Sequence, residues 1–184
     1  KKSYGVKIMA DITLPQYALV ADAANETYAF DATQPIDGTN SNWIAVRSDL
    51  RDQNGESQLY NAFSGHIDGN NHTITGLRIN STSNFIGFVG VMYDGASIKN
   101  LTFANAEENR GKNVGVAVGY AQDDTVVENI IVINSKISGS NSVGAIAGYL
   151  AADGGTAWVK GCTVKNSKIT AYRKVGGIVG AANL

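Results

Sequence analysis

VENIIVINSKISGSNSVGAIAG, residues 127–148, holds one complete structural unit: an alternating apolar strand, a polar turn, and a second strand closing on V-G-x-x-x-G. The same close recurs as VGVAVG at Val114, VGGIVG at Val175 and, one residue shorter, IGFVG at Ile86. The first glycines, Gly87, Gly115, Gly144 and Gly176, are spaced 28, 29 and 32 residues apart, and the closing glycines are Gly90, Gly119, Gly148 and Gly180. A period of that size marks a stacked repeat rather than one globular core.

A second ladder runs in phase with the glycines. IKNLTFANA from Ile98, VENIIVINS from Val127 and VKGCTVKNS from Val159 align without gaps. Ile98, Val127 and Val159 coincide, as do Leu101, Ile130 and Cys162, then Phe103, Val132 and Val164. Asn105, Asn134 and Asn166 form a further column, and TITGLRIN from Thr73 is a shorter, earlier copy. Alternation at period two argues strands, and no unit carries the apolar spacing of a crossover helix. Strands that return every turn without a helix stack in parallel about 4.8 Å apart. The expected fold is therefore all-β, a parallel β-helix (solenoid) with coils of about 24–32 residues. Glycine suits inner corners where a Cβ would crowd the next coil. The asparagine column is expected to hydrogen-bond along the axis at a bend.

Composition narrows the function classes. The charges nearly cancel, at 15 Lys plus Arg against 16 Asp plus Glu, and no run of five like charges occurs. Nothing points to nucleic acid or to an anionic membrane surface. The 21 glycines exceed the usual share of about 7%, while proline occurs only twice. This is the balance of short strands joined by polar turns. No apolar stretch approaches the roughly 18–20 residues of a membrane span. A lone Cys162 excludes an internal disulfide and reads as a small buried apolar side chain.

From Phe63 to Ile79 the chain reads FSGHIDGNNHTITGLRI, followed by FIGFVG and SIKNLTF. This stretch closely resembles the GLUG-type glycine-rich repeats of bacterial surface and secreted proteins, which also occur beside the catalytic part of IgA-cleaving metallopeptidases. The resemblance covers at least residues 63–180. MADITL at Met9–Leu14 and NWIAV at Asn42–Val46 look like the family's lead-in. The implied organisation is a lead-in over residues 1–62, interrupted by an insertion or long loop at about 15–41, then β-helix repeats over 63–184. The resemblance implies a right-handed β-helix without catalytic residues of its own, and no zinc-binding H-E-x-x-H occurs.

Several constellations could carry chemistry. His66 and His72 flank Asp68 around a turn without a third imidazole or thiolate, so turn chemistry is the better reading. Asp94, Asp123, Asp124 and Asp153 sit in loops that stacking would pile on one edge. Such oxygen-rich loops suit Ca²⁺, or paired carboxylates for glycoside hydrolysis, although turns use the same residues. Lys99, Glu128 and Lys160 are expected to form an outward charge ladder. Trp158 should point outward beside Val159, Tyr172 with Arg173 and Lys174 replaces Ser140-Asn141-Ser142, and Tyr120 and Tyr149 follow their glycine motifs at matching positions. Flat aromatic faces beside polar groups suit sugar stacking, so these side chains are the candidate ligand contacts.

The chain opens on Lys1-Lys2-Ser3 without an initiator Met and stops just after a V-G-x-x-x-G strand. The expectation is a piece of a longer polypeptide, with an upstream segment removed and further domains, or an end that packs on a partner. The favoured function is a non-enzymatic, extracellular or cell-surface bacterial module, acting as stalk or as adhesive surface for a glycan or host protein. The alternatives are a carbohydrate-active β-helix using the Asp loops and an accessory domain of a secreted peptidase.

Overall fold

The computed structural model describes residues 4–22, 27–47 and 58–184; the Lys1–Ser3 opening lies outside them. Strands follow the repeat period. A first partial coil holds β1 (Gly5–Lys7) and β2 (Ile12–Thr13). An excursion follows, with β3 (Tyr17–Asp22) and β4 (Thr27–Pro35). After a short 3₁₀ turn at Leu59–Asn61 come β5 (His66–Asp68), β6 (Thr73–Thr75), β7 (Arg78–Ser81) and β8 (Val89–Met92). The next coil is β9 (Ser97–Ala104), β10 (Glu107–Arg110), β11 (Lys112–Val114) and β12 (Val118–Gln122). Then come β13 (Thr125–Ile133), β14 (Lys136–Gly144) and β15 (Ala147–Ala151). Last are β16 (Ala157–Lys160), β17 (Thr163–Lys165), β18 (Lys168–Gly176) and β19 (Val179–Asn183).

Each full coil contributes to three parallel sheets. The first runs β1-β5-β9-β13-β16, with β2, β6 and β17 alongside. The second is β7-β10-β14-β18 with β11, and the third is β8-β12-β15-β19. Register is that of the repeat alignment: Val127 pairs with Ile98 and Val159, Val132 with Phe103 and Val164. This is a parallel β-solenoid of about four turns. Its core is the space between the sheets, filled by stacked columns such as Ile67, Ile98 and Val127 or Ile74, Phe103 and Val132.

The glycine motif makes the corner between the second and third sheets. A Cβ on Gly115 would stand 2.6 Å from the Ala147 Cα, and one on Gly148 would meet the backbone of Asn113 and Val114. Main chain packs there directly on main chain, which only glycine permits.

The asparagine column plays a different part from the one expected. Asn105, Asn134 and Asn166 are exposed and hold φ of 53, 52 and 49°. They are left-handed pivots where the first sheet turns into the second, a conformation asparagine tolerates better than most residues. The amide ladder lies instead in mid-sheet. Asn129 Nδ2 donates to Asn100 Oδ1 at 3.1 Å, and Asn100 Nδ2 to Asp68 Oδ1 at 3.1 Å. Asn100, Asn129 and Gly161 are also left-handed, with φ of 55, 54 and 63°, so this column kinks each long strand in the same place.

The insertion is a structured element rather than a plain loop, since β3 and β4 pair as an antiparallel hairpin. Its exit, Ser41–Asn42, seals the outer edge of β7. Asn42 is fully buried; its Oδ1 accepts the Arg78 N–H at 2.7 Å, and its Nδ2 donates to the Pro15 and Gly76 carbonyls at 2.9 and 2.8 Å. Ser41 Oγ accepts the Asn80 N–H. Trp43 stacks on Phe88 with centroids 4.8 Å apart, and Val46 bridges Val89, adding a rung to the third sheet.

Candidate outward-facing binding surfaces

Outward side chains on the first sheet form a charge ladder longer than the expected trio. Strand pairing places Lys7 beside Asp68, Asp68 beside Lys99, Lys99 beside Glu128, and Glu128 beside Lys160. Glu128 sits 3.1 Å from Lys99 Nζ and 3.2 Å from Lys160 Nζ, and those hydrogen bonds hold its carboxyl below its ordinary range. Backbone and amide donors from Asn70 and Asn100 do the same for Asp68. Alternating signs at every rung favour this register, because a slip along the strand direction would part the opposite charges.

The candidate aromatics divide among the three sheets. Tyr120 and Tyr149 pair in register on the third sheet, with rings 5.6 Å apart and 8° from parallel. Phe85 meets Tyr120 edge-on at 5.6 Å, and Lys174 Nζ lies 6.0 Å from the Tyr149 ring. Both tyrosines are half-buried; burial, then the neighbouring Tyr149, raises the Tyr120 phenol above its ordinary pKa. Trp158, on the first sheet, is 55% exposed and donates Nε1–H to Thr156 Oγ1. Tyr172, on the second, is 84% exposed with the Arg173 guanidinium 5.6 Å from its ring centre. The outward placement expected for Trp158 holds, but these five residues do not converge on one site. On the third sheet Phe85, Tyr120 and Tyr149 form a continuous aromatic row.

The aspartate loops do pile on one edge. Asp123 Oδ1 accepts the Asp153 N–H at 2.7 Å, and Asp124 Oδ1 accepts the Thr156 N–H at 3.2 Å. Asp94, Asp123 and Asp124 take left-handed backbone conformations, with φ of 54, 48 and 55°. The Asp123–Asp124 loop is thus braced on the following loop by two carboxylates reaching across one strand spacing, and the Gly95 N–H donates to the Asp123 carbonyl. No group of three or more His, Cys, Asp or Glu suited to a metal ion occurs among the described residues. The histidines are separately engaged, His66 with Ser97 Oγ at 3.0 Å and His72 with Asp11 Oδ1 at 3.1 Å. Cys162 is half-buried against the core, and burial pushes its thiol up.

Glu108 escaped the sequence reading. It occupies an inward position on β10, in register between Ile79 and Ile137, and is 0% exposed. Both carboxyl oxygens are buried without a hydrogen-bond partner, and burial raises its pKa from 4.5 to about 8. Continuing the repeat alignment past the asparagine column sets Ala106-Glu107-Glu108 above Ser135-Lys136-Ile137 and Ser167-Lys168-Ile169, which was the available signal.

Comparison with known proteins adds little. No family model matches the chain, and no solved structure matches it. A stretch of 58 residues, 31% of the chain, is 41% identical to part of Halomucin from Haloquadratum walsbyi (strain DSM 16790 / HBSQ001). The chain spans about 1% of that protein's length. Among the described residues no helix is long and apolar enough to cross a membrane.

Proposed function

We propose that this chain is a non-catalytic module of a bacterial surface or secreted protein, built on GLUG-type repeats, whose rigid outer faces bind a glycan or a protein. The observation that carries the reading is the Tyr120–Tyr149 pair, held in fixed register on the third sheet and extended by Phe85, which meets Tyr120 edge-on. Half-exposed rings at strand spacing offer apolar edges and phenol hydroxyls to an extended ligand, at small entropic cost because the sheet already orders them. The acidic loops are engaged in bracing neighbouring coils, which favours a mechanical role for them over hydrolysis. The resemblance to part of Halomucin leans toward an extracellular setting.

Migration through native gels with embedded polysaccharides, each then stained for depolymerisation, tests this. Retardation without clearing is expected. Clearing around the band would transfer the function to the Asp123–Asp153 loops. A protein ligand gives unaltered migration in every gel, together with binding to immobilised host-surface protein.

A further inference from the structure

A polar groove runs along the corner where the first sheet turns into the second, apart from the ladders described above. Two clefts of about 400 and 460 Å³ compose it, and they share Gln16, Arg78 and Glu107. The Asp37–Asn40 turn, which follows the inserted hairpin, walls the first, and the second continues past Asn105 and Asn134.

Its walls are fixed before any ligand arrives. Arg78 Nη1 donates to the carbonyls of Leu77, at 3.1 Å, and Asn105, while Nε lies 3.8 Å from Glu107 Oε2. Gln16 Nε2 donates to the Leu14 and Gly76 carbonyls at 2.9 and 3.1 Å. Asn80 Nδ2 donates to the Gly38 carbonyl and ties the turn to β7. Such preorganisation lowers the ordering cost of binding.

The lining chooses among ligands. The floor strand β10 pairs on both sides, and Ser41–Asn42 closes the outer edge of β7, so the floor offers no strand edge for a peptide to extend. Recognition must come from side chains. Half of the polar ones are amides, with Arg78 and Lys136 balanced by Asp37 and Glu107. Amide, carboxylate and guanidinium groups pair with adjacent hydroxyls as donors and acceptors, and balanced charge disfavours a polyanion.

We propose that this groove binds a neutral, hydroxyl-rich oligosaccharide, so that the inserted segment completes a glycan site on the solenoid corner. The proposal rests on the adhesive reading above and adds to the third-sheet aromatics a second place, with its ligand class. Its test uses the same gels, with neutral polysaccharides (dextran, galactomannan, arabinan) and acidic ones (polygalacturonate, hyaluronate). Asn105→Gly with Asn134→Gly removes two lining amides yet keeps the left-handed backbone, which glycine adopts freely. The wild type should be retarded by a neutral gel, and the double variant should bind about tenfold more weakly or worse. Tyr149→Ala breaks the third-sheet row and reports on that surface separately, while Gly177→Ala, outside both surfaces, should bind as the wild type does. If the double variant does not fold, as judged by circular dichroism, Glu107→Ala serves in its place. Equal retardation of groove variant and wild type, loss only in Tyr149→Ala, or retardation by acidic gels alone would overturn the groove while leaving the adhesive reading intact. No retardation in any gel would overturn the groove, and failure to bind surface protein as well would overturn both.

Discussion

At the scale of single residues, two features carry the sharpest consequences. Glu108 places an unpartnered carboxyl among isoleucines, so the folded state holds its proton more tightly than the unfolded chain does. With the folded pKa raised from 4.5 to about 8, its contribution is fully present below pH 4.5 and is lost as pH rises through about 8. Glu108→Leu should therefore raise stability at pH 8 by about 2–4 kcal/mol and flatten the fall between pH 5 and 8. Urea denaturation at several pH values measures this; an unchanged slope would place the carboxyl in water. The second feature is backbone contact at the glycine corner. Gly115→Ala drives a methyl into the Ala147 main chain and should cost about 2–4 kcal/mol. Gly177, one residue beyond the motif's first glycine in the last coil, has no atom within 4 Å of an added Cβ. Gly177→Ala should stay within about 0.5 kcal/mol, and equal losses at the two sites would refute the corner argument.

Among elements, the first sheet is held in register by two independent columns, an apolar one inside and an alternating charged one outside. Glu128 is the hinge of the outer column because it contacts a lysine on each neighbouring strand. Glu128→Lys would set three cations on adjacent strands. The expected result is a lower Tm by about 2–4 °C at low ionic strength, with the gap narrowing in 1 M salt. A salt-independent loss would point to packing instead. The hairpin β3–β4 is an element of another kind. It pairs with no coil as a strand, yet its exit segment satisfies the edge of β7 through the side chains of Asn42 and Ser41.

Stability in the whole molecule should grade from the ends inward, since each coil contacts only its neighbours. Val6 and Ile12 in the first coil are 59% and 40% exposed, and Val175 and Ile178 in the last are 55% and 38%. Their counterparts Ile98, Phe103, Val143 and Ile146 are at 0%. Amide exchange should accordingly be slowest in β9 and β12 to β15 and faster in β1, β2 and β16 to β19. Uniform protection would mean that the solenoid opens as a single cooperative unit.

The course of the chain could be read from its sequence because a solenoid makes long-range contacts periodic. Residues that stack in space recur at a near-constant interval, so aligning Ile98, Val127 and Val159 amounted to listing core contacts, and the charge ladder followed from the same alignment. Glu108 lay within reach of that method, one step past the asparagine column. The hairpin in the insertion, the seal formed by Asn42, the gathering of Gln16, Asp37, Arg78 and Glu107 into one groove, and the division of the aromatics among three sheets did not. Those depend on segments with no periodic relation to one another, or on which sheet a coil position joins. Only the three-dimensional path of the chain decides them.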